Sequence, residues 1–160
     1  MAIISLNYRR VSALFSNILI CCVGNICRSP MAEALFRQQA ATQLNEKTQI
    51  LSAGTQGLIG HAPDPKAIAL MAEHNLDISG YGGTKLNTEL AHWAHIILVM
   101  ETSQKQVVEQ RYPTTRGKVF RLLEDERQDI PDPYRQDIEA FKSALILIEQ
   151  GVEQWVGKLR

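Results

Sequence analysis

Residues 18–30 read Ile18-Leu19-Ile20-Cys21-Cys22-Val23-Gly24-Asn25-Ile26-Cys27-Arg28-Ser29-Pro30, and the fold class turns on them. Ile18 to Val23 is a short, apolar, β-branched run that stops at Gly24-Asn25, the pattern of a strand buried on both faces in a parallel sheet. Ser29-Pro30 then opens a helix: Ser is a favoured N-cap, Pro fits the first turn, and Met31, Ala34, Leu35, Ala41 and Leu44 supply an apolar face. A strand that passes through a short loop into a helix sets that loop at the carboxyl end of the sheet, where α/β folds hold their ligands.

The same alternation continues outward. Gln49 to Ala53 predicts a second strand stopped by Gly54, and Pro65 starts a helix running through Ala67, Ile68, Met71 and Leu76. Ala94 to Met100 predicts a third strand, Ser103 to Arg111 a helix, and Lys118 to Leu122 a short fourth strand. Beyond Pro131 and Pro133, the spacing of Ile138, Phe141, Leu145, Ile148, Val152, Trp155 and Leu159 marks a long amphipathic closing helix. Such an order implies right-handed crossovers and a three-layer α/β domain, a parallel sheet of about four strands with helices on both faces. Residues 17–160 are read as this single domain and residues 1–16 as an N-terminal extension outside the core. That extension has no apolar run long enough for a signal-peptide core, and no stretch reaches the roughly 18 uncharged apolar residues that a membrane span needs.

Composition limits the function classes. With 160 residues, 45% hydrophobic and 21% charged, the chain suits one globular domain. Lys plus Arg and Asp plus Glu are both 17, which argues against a nucleic-acid binder working through a broad basic face. The three cysteines, Cys21, Cys22 and Cys27, are clustered and odd in number, the wrong distribution for a secreted disulfide framework and a better match to a reducing, cytoplasmic setting. His61, His74, His92 and His95 do not pair with them at zinc-finger spacing, so no metal and no cofactor are expected.

The loop itself carries the chemistry. Cys22 and Arg28, with five residues between them at a strand-to-helix turn, place a sulfur at the bottom of a ring of backbone N–H groups from Val23, Gly24, Asn25, Ile26 and Cys27. The amide nest, the helix dipole and the Arg28 guanidinium favour a tetrahedral dianion such as phosphate. The same field favours an anionic, nucleophilic sulfur. Ser29 is placed to donate to Cys22, Gly24 permits close approach of the backbone, and Asn25 tolerates positive φ.

Cys22 to Pro30 resembles the phosphate-binding loop of the low-molecular-weight protein tyrosine phosphatases, whose pattern is C-x-G-N-x-C-R-S-P. The resemblance extends to Ser52-Ala53-Gly54-Thr55, to Met100 and to Asp132-Pro133-Tyr134, and spans about Asn17 to Arg160. It implies a phosphocysteine mechanism with Cys22 as nucleophile, Arg28 and the loop amides binding phosphate, and Asp132 as general acid and then base. It further implies that Ser52 and His74 hold Asn25, that Cys27 pairs with Cys22 under oxidation, and that Leu58 and Tyr134 line the substrate ring. Leu58 stands where eukaryotic members carry an aromatic residue, and Arg135 where they carry a second Tyr. This pattern is similar to the bacterial branch that acts on tyrosine autokinases of capsule or exopolysaccharide export. The implied partner is a phosphotyrosine protein, the implied state a monomer or weak dimer.

Two rivals remain. An arsenate reductase of the same fold would relay a disulfide outward through further cysteines, but none follows Cys27. A phosphate-binding or phosphotransfer module without turnover would not need Asp132.

Overall fold

The computed structural model describes residues 14–160; most of the proposed N-terminal extension, residues 1–13, lies outside them. The chain runs β1 (Asn17–Cys22), α1 (Arg28–Gln43), β2 (Gln49–Gly54), α2 (Pro65–Glu73), α3 (Thr88–Trp93), β3 (Ile96–Val99), α4 (Thr102–Arg111), a 3₁₀ turn (Pro113–Thr115), β4 (Val119–Arg121) and α5 (Ile138–Leu159). The four strands form one sheet in the order β2-β1-β3-β4, every pair parallel. Successive side chains of β1 point to opposite faces, which divides the core in two. Ile18, Ile20 and Cys22 pack with Met31 and Phe36 of α1, Met71 of α2 and Phe141, Ile148 and Val152 of α5. Leu19 and Cys21 pack on the other side with Ala91 of α3 and Val108 of α4. This is the three-layer arrangement read from the sequence.

The strand order places the site. The chain leaves β1 to form β2 on one side, and β3 pairs with β1 on the other, so the crevice at the carboxyl end of β1 lies at the topological switch point. Loops leaving β1, β2 and β4 meet there, and so does the turn from β3 into α4.

Several local expectations need correction. Helix α1 starts at Arg28 with Cys27 at the N-cap and no side-chain cap; Ser29 lies inside the first turn because its hydroxyl is committed to the loop. Helix α2 ends at Glu73, not near Leu76: His74 is its C-cap and Asn75 follows at φ 58°. The third strand pairs only over Ile96–Val99, since Ala94 closes α3, a helix missed in the sequence although Asn87 caps it by accepting from the Leu90 amide at 2.8 Å. Among the described residues no helix is long and apolar enough to cross a membrane.

Candidate active site

The loop after β1 is tied down from outside. The carbonyl of Val23 accepts from the Gln56 and Gly57 amides, that of Gly24 from Leu58, and that of Ile26 from Asp64, at 2.7–3.0 Å. In a trans peptide the carbonyl of one residue and the N–H of the next point in opposite directions, and no peptide bond among the described residues is cis. Drawing these carbonyls outward therefore turns the amides of Gly24, Asn25 and Cys27 inward. The Asn25 amide does reach the Cys22 sulfur, at 3.3 Å. The result is a concave nest of donors at a helix N-terminus, a site built for an anion.

Gly54, read from the sequence only as a strand terminator, makes this packing possible. A Cβ there would stand 2.4 Å from the Val23 carbonyl oxygen and 2.9 Å from the Asn25 nitrogen. Only glycine lets β2 run this close beneath the loop. Gly24 is less constrained, because a Cβ at that position would meet the Ile26 and Leu58 side chains at ordinary contact distance.

Cys22 lies at the floor of the cradle with its Sγ 2.9 Å from Ser29 Oγ. Burial pushes the Cys21 thiol up, with the charge at Cys22 adding to it, and burial followed by the Asp64 carboxylate does the same to Cys27. Both neighbours are thereby held as neutral thiols, and all three cysteines are free.

Asn25 adopts φ 59°, a conformation that Asn tolerates better than most residues. Its amide nitrogen donates to Ser29 Oγ at 2.8 Å and Ser52 Oγ at 2.9 Å, and its Oδ1 accepts from the Thr84 amide at 2.9 Å. Ser52 in turn donates to the carboxylate of Glu33, which also pairs with Arg37 at 2.8 Å. His74 takes no part in this network. It faces Glu149 of α5, Nδ1 to Oε1 at 3.5 Å, because the early end of α2 leaves it on that helix's outer side. The third anchor of Asn25 is instead a backbone group, Thr84 N–H.

Arg28 is almost fully buried, at 1% exposure. Its Nη1 pairs with Glu101, two residues beyond the end of β3, and donates to the Ile130 carbonyl at 2.8 Å. Its Nη2 lies 3.4 Å from the Asp132 carboxylate. The Nε is buried and has no partner among the described residues. An orphaned charged donor of this kind is costly, and an anion in the cradle would satisfy it. Glu101 carried no signal in the sequence beyond its place at a strand end.

Asp132 lies across the mouth from Cys22, its Oδ1 accepting from the Tyr134 amide at 3.1 Å. The cavity between them is lined by Ile26, Gln56, Leu58 and Tyr134 besides the loop residues, so the expected wall residues are brought to one opening. The Arg135 guanidinium lies 5.2 Å from the Tyr134 ring centroid, outside the wall. Among the described residues no group of three or more His, Cys, Asp or Glu side chains is placed to hold a metal ion.

A doubly wound sheet with a thiol beneath an amide cradle at its switch point defines an oxyanion-handling thiol protein. The comparisons with known proteins narrow that class: the family model described as low molecular weight phosphotyrosine protein phosphatase matches residues 17–160, and the chain belongs to this family of phosphatases. It is 44% identical over 147 residues to a probable low molecular weight protein-tyrosine-phosphatase, EpsP, of Ralstonia nicotianae, covering 92% of this chain and 98% of the relative. It superposes on the tyrosine phosphatase Wzb from Escherichia coli K30, solved in complex with sulphate, with a TM-score of 0.85 at 37% identity, covering 91% of this chain and 99% of that one. Wzb of Vibrio vulnificus, solved in complex with benzylphosphonate, gives a TM-score of 0.83 at 34% identity, with coverage of 90% and 99%.

Proposed function

We propose that this protein hydrolyses phosphotyrosine in proteins through a phosphocysteine intermediate, with Cys22 as nucleophile. The observation that carries the reading is the placement of the Cys22 sulfur at the floor of the cradle, bonded by Ser29 and the Asn25 amide, beneath a mouth that holds Asp132 and Tyr134. Phosphate oxygens fill the nest and take the free Arg28 donor. The Cys22 thiolate forms a bond to phosphorus as the phosphorus–oxygen bond to tyrosine breaks, and the departing phenolate takes the proton of the Asp132 carboxyl. In the second half, Asp132 accepts a proton from water, the water oxygen bonds to phosphorus, and the sulfur leaves as thiolate, stabilised by the Ser29 hydroxyl. Leu58 and Tyr134 flank the tyrosine ring, and the arylmethyl phosphonate bound by the Vibrio relative fits a mouth of that shape.

A phosphotyrosine protein is thus the partner, and a bacterial tyrosine autokinase is the proposed physiological one, encountered in the cytoplasm by a monomer or weak dimer. Support for the bacterial assignment comes from the bacterial relatives and from the residue types at two positions, Leu58 in the wall and Arg135 after Tyr134. The test is hydrolysis of an aryl phosphate in the presence of a chelator, with Cys22→Ser and Asp132→Asn measured alongside. Turnover by Cys22→Ser near the wild-type level overturns the mechanism; unimpaired turnover by Asp132→Asn removes the acid–base role from Asp132 and leaves Cys22 as nucleophile.

A further inference from the structure

We propose that Lys66 is a positioning residue for Asp132, and that the first turn of α2 is a strut joining the phosphate-binding loop to the loop that carries the acid. This rests on the reading of Asp132 as general acid.

The strut has two ends. At one, the Asp64 amide donates to the Ile26 carbonyl at 2.7 Å, and the Asp64 carboxylate caps α2 by accepting from the Lys66 amide at 2.9 Å. At the other, Lys66 Nζ crosses to the acid loop and donates to the Gln136 carbonyl at 2.8 Å, while Gln136 Nε2 donates to the Asp132 carbonyl at 2.8 Å and the Gln136 amide to the Pro133 carbonyl at 2.9 Å. Asp132 is thus bounded by a closed turn whose far corner is held by one ammonium group. Among the described residues Lys66 makes no ion pair with a carboxylate within 4.0 Å. Its ammonium lies 5.5 Å from the ring centroid of the buried Phe141 on α5, which limits the side chain's freedom and directs it to the loop.

The chemical reason for such a strut lies in what the acid must do. The carboxyl has to meet the leaving oxygen at hydrogen-bond range while the sulfur meets phosphorus from the opposite side, and misplacement by about 1 Å costs up to about a hundredfold in rate. Asp132 lies 3.4 Å from Arg28, and the Arg28 bond to the Ile130 carbonyl at 2.8 Å anchors the acid loop on the N-terminal side of Asp132, but one anchor leaves the loop free to pivot about it. The connection through Lys66 supplies the second anchor, on the C-terminal side of Asp132, since both loops hang from the same helical turn.

The test compares kcat/KM for phenyl phosphate, whose leaving group needs the proton, with that for 2,4-dinitrophenyl phosphate, whose leaving group does not. Lys66→Met keeps the aliphatic stem and removes the ammonium; it is expected to lose about tenfold on phenyl phosphate and to stay within about twofold on the dinitrophenyl ester. Lys66→Arg, which can still donate to the carbonyl, is expected to recover most of the loss. Gln136→Ala leaves the carbonyl that Lys66 holds but removes the Nε2 bond to the Asp132 carbonyl, the next link of the strut, in an exposed loop; it is expected to give the same pattern, and it tests the strut if Lys66→Met fails to fold. Asp132→Asn runs beside them. Equal losses on both esters, or full activity on phenyl phosphate beside an impaired Asp132→Asn, overturn the strut while leaving the acid in place. If Asp132→Asn itself does not distinguish the two esters, the reading of Asp132 fails, and the strut with it.

Discussion

The hydroxyl of Ser29 stands 2.9 Å from the Cys22 sulfur, and its direction is set from a distance. Asn25 Nδ2 donates to Ser29 Oγ, which leaves the serine hydrogen free to point at sulfur. Ser52, which also accepts from Asn25, can do so because its own hydrogen goes to the buried Glu33 carboxylate. Donors therefore run outward from Asn25 along two branches, one through Ser29 to the nucleophile and one through Ser52 to Glu33.

The first prediction follows from that polarity. A hydrogen bond to a charged group contributes about 1.5–3 kcal/mol, and here it is strongest when sulfur leaves phosphorus as a thiolate. Ser29→Ala is expected to slow phosphocysteine breakdown by at least about tenfold. Rapid-mixing kinetics with 4-nitrophenyl phosphate should show a burst of nitrophenol close to one equivalent, followed by a slow steady state. A reduced rate with no burst would place the loss in the first step instead.

Gly54→Ala tests the backbone packing. Its Cβ would fall 2.4 Å from the Val23 carbonyl oxygen, an atom fixed by two amides, so the loop must shift. We expect a loss of about a hundredfold in kcat/KM with far-UV circular dichroism unchanged, and weaker inhibition by inorganic phosphate. Normal phosphate inhibition would show that the cradle tolerates the extra atom.

What was legible in the sequence was local. Cys22 to Pro30 forms its cradle within one turn, so residue types and spacing were enough to place it, and strand–helix alternation gave the sheet. The contacts that complete the site join residues far apart in the chain: Thr84 meets Asn25 and Glu101 meets Arg28. Thr84 contributes only a backbone N–H, which leaves no trace in residue type. Glu101 resembled any polar residue after a strand. His74 was assigned to Asn25 by resemblance alone; as the C-cap of α2, just before Asn75 takes positive φ, it faces α5 instead. Helix α3 was missed because six residues carry too little periodicity to register, even with Asn87 at its cap.

Asp129 gives a pH-dependent prediction. Burial alone would raise its carboxyl, but hydrogen bonds from the Thr102 amide, Arg121 and the Thr102 hydroxyl outweigh burial and hold it below the ordinary carboxylate value. A group whose value is depressed in the fold contributes stability above its unfolded value and loses it as pH falls through the folded one. Asp129→Asn should therefore lower Tm near neutral pH, and the gap to wild type should close below about pH 4. Thermal melts across that range decide it; a gap independent of pH would mean that charge is not what ties Thr102 and Arg121 to this loop.

The three cysteines differ in surroundings although they lie within seven positions. Cys21 points into the opposite core from Cys22, and burial keeps its thiol neutral; Cys27 faces the cavity, yet burial and the Asp64 carboxylate also push its thiol up. Alkylation requires a thiolate and access to it. One equivalent of iodoacetate should therefore label Cys22 alone, and inorganic phosphate in the cradle should protect it. Cys27→Ser should keep most of the turnover that Cys22→Ser abolishes, since a neutral thiol beside the nest cannot replace the nucleophile. Peptide mass mapping after brief treatment reads the result. A label on Cys27 in the native enzyme would mean that the thiolate-stabilising field extends along the whole loop, and the assignment of a single nucleophile would then have to come from the Ser29 and Asn25 contacts to sulfur alone.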